Sequence, residues 1–188
     1  MSGWLITGGI IVLALWGVAL YNSLVTLRQR NRQAFADIDV QLRQRHDLVP
    51  NLVETVKGYA RHERETMDAV IQARNTAVGA KGAAQQAEAE NVLSAALGRL
   101  FALAEAYPDL KANQNFLELQ QQLDDIENKL AAARRFFNSA AAEYNAKRES
   151  FPASFIASYF GFTTQDFFDL GEDKRTQLET PPPVSFQP

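Results

Sequence analysis

The chain holds two histidines, His46 and His62, and no cysteine, and that inventory limits the chemistry available to it. Without cysteine there are no disulfides, thiolate zinc sites or cysteine nucleophiles. A carboxylate-bridged di-iron centre needs inward glutamates and two Glu-x-x-His pairs on different helices. Neither histidine here has a glutamate three residues before it, and both fall on one predicted helix. The run His62-Glu63-Arg64-Glu65-Thr66 opens like a zinc-protease motif, but Thr66 stands where the second histidine would bind metal. No glycine-rich phosphate loop follows a strand, and neither histidine is spaced for a serine triad. The carboxylates Asp37, Asp39, Glu54, Glu63, Glu105, Asp124 and Asp125 read as solvated helix faces. The chain therefore reads as non-enzymatic, with no catalytic residue, no metal ligand and no cofactor.

A few polar residues interrupt apolar rows instead. Arg45 and Glu63 do so in the first half of the chain, and Glu105, Arg135, Asn138 and Asn145 in the second. Buried polar groups must find partners or cost several kcal/mol. The expectation is an internal network, for example Glu105 with Arg135, that fixes helix register; the alternative is a ligand pocket formed by the same groups.

The elements that carry these residues are helical. The first charged side chain is Arg28, and Trp4 to Leu27 forms one apolar run. At 1.5 Å per residue this run reaches about 36 Å, enough to cross a hydrocarbon core of about 30 Å. Its length and lack of a cleavage site favour a spanning anchor over a cleaved signal. Arg28, Arg30, Arg32, Arg43 and Arg45 follow it and no basic residue precedes it. The amino terminus is thus expected outside and the rest in the cytoplasm. The net charge of −3 is spread without a basic stripe, which argues against nucleic acid as a partner.

Beyond Arg28, two largely apolar rows run at seven-residue spacing: Phe35, Leu42, Val49, Val56, Glu63, Val70, Ala77, and Ile38, Arg45, Leu52, Tyr59, Thr66, Ala73. Such rows make the seam of a helix packed against others. Their register is kept across Pro50, which predicts one long helix over about 28–78, kinked there; a break capped by Asp47 is the alternative. After the small-residue loop 79–85, a second helix is predicted to about Ala106. A third, capped by Asn113 or Asn115, carries the rows Phe116, Leu123, Leu130, Phe137, Tyr144 and Leu119, Ile126, Ala133, Ala140 to about Ser150. A short helix over 153–160 follows, then a Gly161 turn and a further short element capped by Thr164. The aromatics of 151–168 read as a plug for one end of the bundle, or else as a segment touching lipid or a partner. The organisation is thus an anchor (1–27), a helical-bundle domain (28–170) and a disordered Pro-rich tail (171–188).

The segments YNSLV, IDVQLRQRHDLVPNLVETVKGYARHE, EAYPDLKAN, FLELQQQL, AARRFFNSAAAEYN and FPASFIASYFGF, in this order from Tyr21 to about Leu170, closely resemble the LemA family. The resemblance implies a bacterial protein with one N-terminal membrane helix and a helical bundle. It attaches no reaction and no catalytic residue, and some relatives are linked to magnetosome membrane biogenesis. The fold class expected is all-α: a transmembrane helix continuing into a long kinked helix of an antiparallel bundle. The function expected is a scaffold at the bacterial inner membrane that self-associates or recruits other membrane proteins. A tethered sensor, or membrane remodelling by the amphipathic first helix, are the alternatives. The second helix is too short to cover the first along its length, so Phe35, Ile38, Leu42 and Val49 are expected to form an exposed stripe where a second copy docks.

Overall fold

The computed structural model describes residues 2–168, and every regular element among them is helical. The helices are α1 (Ser2–Tyr59), α2 (Arg64–Gly79), α3 (Gly82–Ala104), α4 (Pro108–Lys111), α5 (Gln114–Glu149) and α6 (Ala153–Tyr159). They fall into two compact units. The first holds α1 up to Leu48 together with Gln120–Phe167; the second holds Val49–Leu119. The Pro-rich tail lies outside the described residues.

In the first unit, α1 and α5 run antiparallel. Arg30 pairs with Glu143 at 2.8 Å, the Phe35 and Phe137 rings meet at 5.6 Å, and Arg45 reaches Glu127 at 3.3 Å. Partners thus climb along α1 as they descend along α5. Along this pair Ala34, Ile38 and Leu42 on α1 and Leu123, Ile126, Leu130 and Ala141 on α5 are buried, the apolar stripe that drives pairing of two amphipathic helices. Farther along, Leu24, Tyr144, Ala153, Ala157 and Phe162 close into one cluster, flanked by Leu20, Tyr21, Val25, Leu27 and Ile156. Gly161 turns the chain there with φ +69°, a left-handed conformation that glycine adopts without a Cβ clash.

The aromatic segment is not the plug expected. Phe162 and Phe168 are buried, but Phe151, Phe155, Tyr159, Phe160 and Phe167 are exposed; α6 turns its alanines Ala153 and Ala157 inward and leaves Phe155 and Tyr159 out. No helix follows the Gly161 turn up to residue 168. Asn145 holds the segment extended instead: its side-chain amide donates to the Gln165 carbonyl and its oxygen accepts the Gln165 N–H, both at 2.9 Å. The Tyr144 hydroxyl donates to the Thr163 carbonyl at 2.8 Å, and Arg148 Nε to that of Phe162 at 2.8 Å.

In the second unit, α1 continues through Pro50. Val49, Leu52, Val53 and Val56 are buried on both sides of it, and that packing outweighs the roughly 3 kcal/mol an interior proline costs. The helix ends at Tyr59 instead, so the single helix expected over 28–78 is two. Gly58, about 1 kcal/mol poorer than alanine as a helix former, precedes the stop. The Ala60 N–H donates to the Val56 carbonyl (2.8 Å) and the Glu63 N–H to that of Ala60 (3.1 Å), closing a tight turn. α2 then packs along α3 through Met67, Val70, Ala73 and Ala77 on one side and Leu93, Ala96, Leu97 and Leu100 on the other, all buried. The loop between them is only Ala80–Lys81. Gly82 takes φ +79°, and Gln86 Nε2 donates to the Ala77 carbonyl at 3.1 Å, satisfying one of the carbonyls left open at a helix end. α5 opens on Asn113, whose side-chain oxygen accepts the Phe116 N–H at 3.0 Å, the N-cap bond that asparagine favours.

Candidate functional site

The residues singled out from the sequence are placed differently from expectation. Ile38, Leu42 and Val49 are buried in the folded chain, and Phe35 is half-buried against Phe137. The stripe expected to be open around Ile38 and Leu42 is covered by α5, whose 36 residues reach where the shorter α3 would not. Nor do the polar residues make the network foreseen. Glu105 is exposed at the end of α3 and pairs with Lys111; Arg135 is exposed on α5. Asn138 and Asn145 are half-buried, and Asn145 serves the 162–168 segment.

The buried charge lies one residue away. Arg45 and Arg134 are both buried and flank the Glu127 carboxylate, at 3.3 Å and 3.6 Å. Glu127 keeps about half its side-chain surface, so water shares in compensating the pair. Glu90 is fully buried on α3, a placement whose signal in the sequence is its position in the same row as Leu97 and Ala104.

A cleft of about 680 Å³ opens where the end of α1 turns into α2, lined by Pro50, Val53, Glu54, Lys57, Gly58, Arg61, Arg64, Met67, Asp68 and Ile71. Val53 and Met67 form its buried floor and Ile71 a half-buried wall. Lys57 pairs with Glu54 at 3.1 Å along one lip. Arg61 and Arg64 are exposed at the turn, so three cations face two carboxylates around an apolar floor. The turn is braced by Tyr107, whose hydroxyl donates to Glu63 Oε1 at 3.2 Å. Desolvation, and then the bond to Glu63 and its negative charge, hold the Tyr107 phenol above its ordinary pKa. Such a cleft suits an apolar side chain flanked by acidic groups. Among the described residues no cluster of three or more His, Asp or Glu side chains is arranged to hold a metal ion.

α1 begins with an exposed apolar stretch: Trp4, Leu5, Ile6, Ile10, Ile11, Val12, Leu13, Leu15, Trp16 and Val18 all face outward. In length and composition it can cross a membrane. A helix of this kind, continuous with a packed bundle, defines a membrane-associated all-helical protein. The chain belongs to the LemA family, whose model matches residues 34–186. It is similar to the magnetosome protein MamQ of Magnetospirillum gryphiswaldense, 25% identical over 86% of this chain and 69% of that one. Magnetosome protein MamQ 2 of Paramagnetospirillum magneticum is 24% identical over the same shares. Protein LemA of Metamycoplasma hominis is 22% identical over 85% of this chain and 73% of its own.

Proposed function

We propose that this chain is a non-enzymatic scaffold of the bacterial inner membrane, crossing it once and gathering copies of itself or partner proteins around its bundle. The arginines after the apolar run favour an outside amino terminus and a cytoplasmic bundle by the positive-inside rule. The observation that carries the docking role is the cleft of Pro50–Ile71, with its apolar floor of Val53 and Met67 and the cations Arg61 and Arg64 at its mouth. Its occupant is an amphipathic segment with acidic flanks, presented by a second copy of the chain. Membership of the LemA family and the likeness to MamQ and LemA support a membrane-associated helical protein.

Self-association through this cleft does not require opening the α1–α5 seam, as docking on Ile38 and Leu42 would. The test is the mass of the intact chain in nanodiscs, by light scattering with matching electron micrographs. The expected result is a closed assembly of several copies that falls to monomers in Ile71→Asp while helical content is kept. A monodisperse monomer at micromolar concentration, unchanged by that substitution, overturns the reading.

A further inference from the structure

The apolar run looks long enough to cross a bilayer by itself, yet its last third is not available to lipid. Leu24 is fully buried and Leu20, Tyr21, Val25 and Leu27 pack against the cluster made by Tyr144, Ala153, Ala157 and Phe162. The exposed positions of α1 beyond Tyr21 and before Gln29 are Asn22 and Thr26, both polar. The apolar surface that α1 can offer to acyl chains therefore runs from Trp4 to about Ala19, which at 1.5 Å per residue is about 24 Å. A hydrocarbon core of about 30 Å leaves some 6 Å uncovered.

α6 supplies that band. It packs by Ala153, Ile156 and Ala157 and leaves its rings, and those that flank it, outward: Phe151 is 81% exposed, Phe155 68%, Tyr159 84% and Phe160 57%. Phe155 and Tyr159 are four residues apart on α6 and share one face, and the Phe151 ring just ahead of the helix meets Phe155 edge-on at 5.9 Å. That face adjoins the span. The Phe160 ring meets Tyr21 edge-on at 4.9 Å. Ile156 and Phe160 also line an apolar hollow of about 370 Å³ with Ala14, Gly17, Val18 and Tyr21. Just past it the Arg28 guanidinium lies over the Phe162 ring at 4.8 Å. Exposed apolar faces of this kind are rare in water, whereas aromatic rings concentrate at the headgroup level of a bilayer.

We propose that α6 is a second membrane-contacting element. It lies in the interface of the leaflet on the Arg28 side, with the rings of Phe151, Phe155, Tyr159 and Phe160 among the upper acyl chains. This rests on α1 spanning the bilayer. Two cations stand at this end of α6: Arg28 lies over the Phe162 ring and Arg148 donates to the Phe162 carbonyl, where they can meet lipid phosphates. The transmembrane unit is then a composite of one span and a short aromatic helix docked beside its end.

The full chain reconstituted in phosphatidylcholine–phosphatidylglycerol liposomes tests this, with lipids brominated on the acyl chain near the headgroup as quenchers. Four single-tryptophan forms are compared. One is Trp4→Phe, which keeps Trp16. The others carry Trp4→Phe and Trp16→Phe with Phe155→Trp, Tyr159→Trp or Leu117→Trp. We expect Trp16 and the reporters at 155 and 159 to lose most of their emission to brominated lipid, and the reporter at 117 to keep its own. Quenching of Trp16 with none at 155 or 159 overturns the docking of α6 and leaves the span intact. Absence of quenching at Trp16 overturns the span and the proposal with it. Reporters at 155 and 159 that are shielded from aqueous iodide but untouched by brominated lipid show a protein cover, which also overturns it.

Discussion

Leu42→Ala separates a core position from a docking position. Leu42 is 1% exposed, between the Phe35–Phe137 and Arg45–Glu127 contacts of α1 with α5. The change removes three carbons, worth about 2.4 kcal/mol in transfer at about 0.8 per methylene. The void left behind raises the expected loss to about 3–4 kcal/mol. Val40, two residues away and 51% exposed, is the control, and Val40→Ala should stay within about 0.5 kcal/mol of the parent. Urea unfolding of the full chain in nanodiscs, followed by far-ultraviolet circular dichroism, gives the difference; light scattering gives the mass in parallel. If Leu42→Ala costs less than about 1 kcal/mol while the particle mass falls, Leu42 faces another chain and the α1–α5 seam drawn above is wrong.

Other substitutions address single features. Asn145→Ala breaks both bonds to Gln165; at about 1 kcal/mol each the loss is about 2 kcal/mol, and limited proteolysis should cut within residues 163–168 sooner than in the parent. Glu127→Gln leaves Arg45 and Arg134 without their shared carboxylate. Since Glu127 is half open to water, the cost is about 1–2 kcal/mol rather than that of a fully buried pair. Removing the exposed Arg43–Asp39 pair by Arg43→Ala should cost about 0–0.5 kcal/mol by the same unfolding assay. The phenols of Tyr107 and Tyr144 are both raised above the ordinary tyrosine value, chiefly by desolvation, with Arg28 and Arg148 partly countering it at Tyr144. Their neutral forms favour the folded chain, so this stability is complete below about pH 10 and is lost as pH climbs through the raised values. Absorbance at 295 nm should show a late-titrating component that loses one tyrosine in Tyr107→Phe and one in Tyr144→Phe.

The helices were legible wherever apolar rows repeat every seven residues. α5 carries its rows from Phe116 to Tyr144 without interruption, and its cap, stop and length follow from them. The same rows concealed the turn at 60–63. Val56 on α1 and Met67, Val70 and Ala77 on α2 keep one phase across it, and a periodic pattern cannot register a reversal between two helices in step. The kept register across Pro50 was read rightly as a continuous helix, and the burial of Val49, Leu52, Val53 and Val56 around it disposes of a break capped by Asp47. The charged core fell on Arg134 rather than Arg135 because the inward face of α5 is wider than two rows. The ridge Leu130, Arg134, Phe137, Ala141 is buried whole. At α6 the composition was plain and the orientation was not. Only the seating of Ala153 and Ala157 against Leu24 determines that the rings turn outward.

Between Leu27 and Arg28 there is no loop, and α1 passes from apolar run to packed bundle as one helix. Such a junction has no swivel. In the proposed topology, any tilt the span takes in the bilayer carries the α5-facing stretch of α1 over with it, and α6, held at Tyr21 and Leu24, must pitch by the same angle. In that topology the tilt of the span becomes a mechanical input that this part of the protein passes on to α5 and α6.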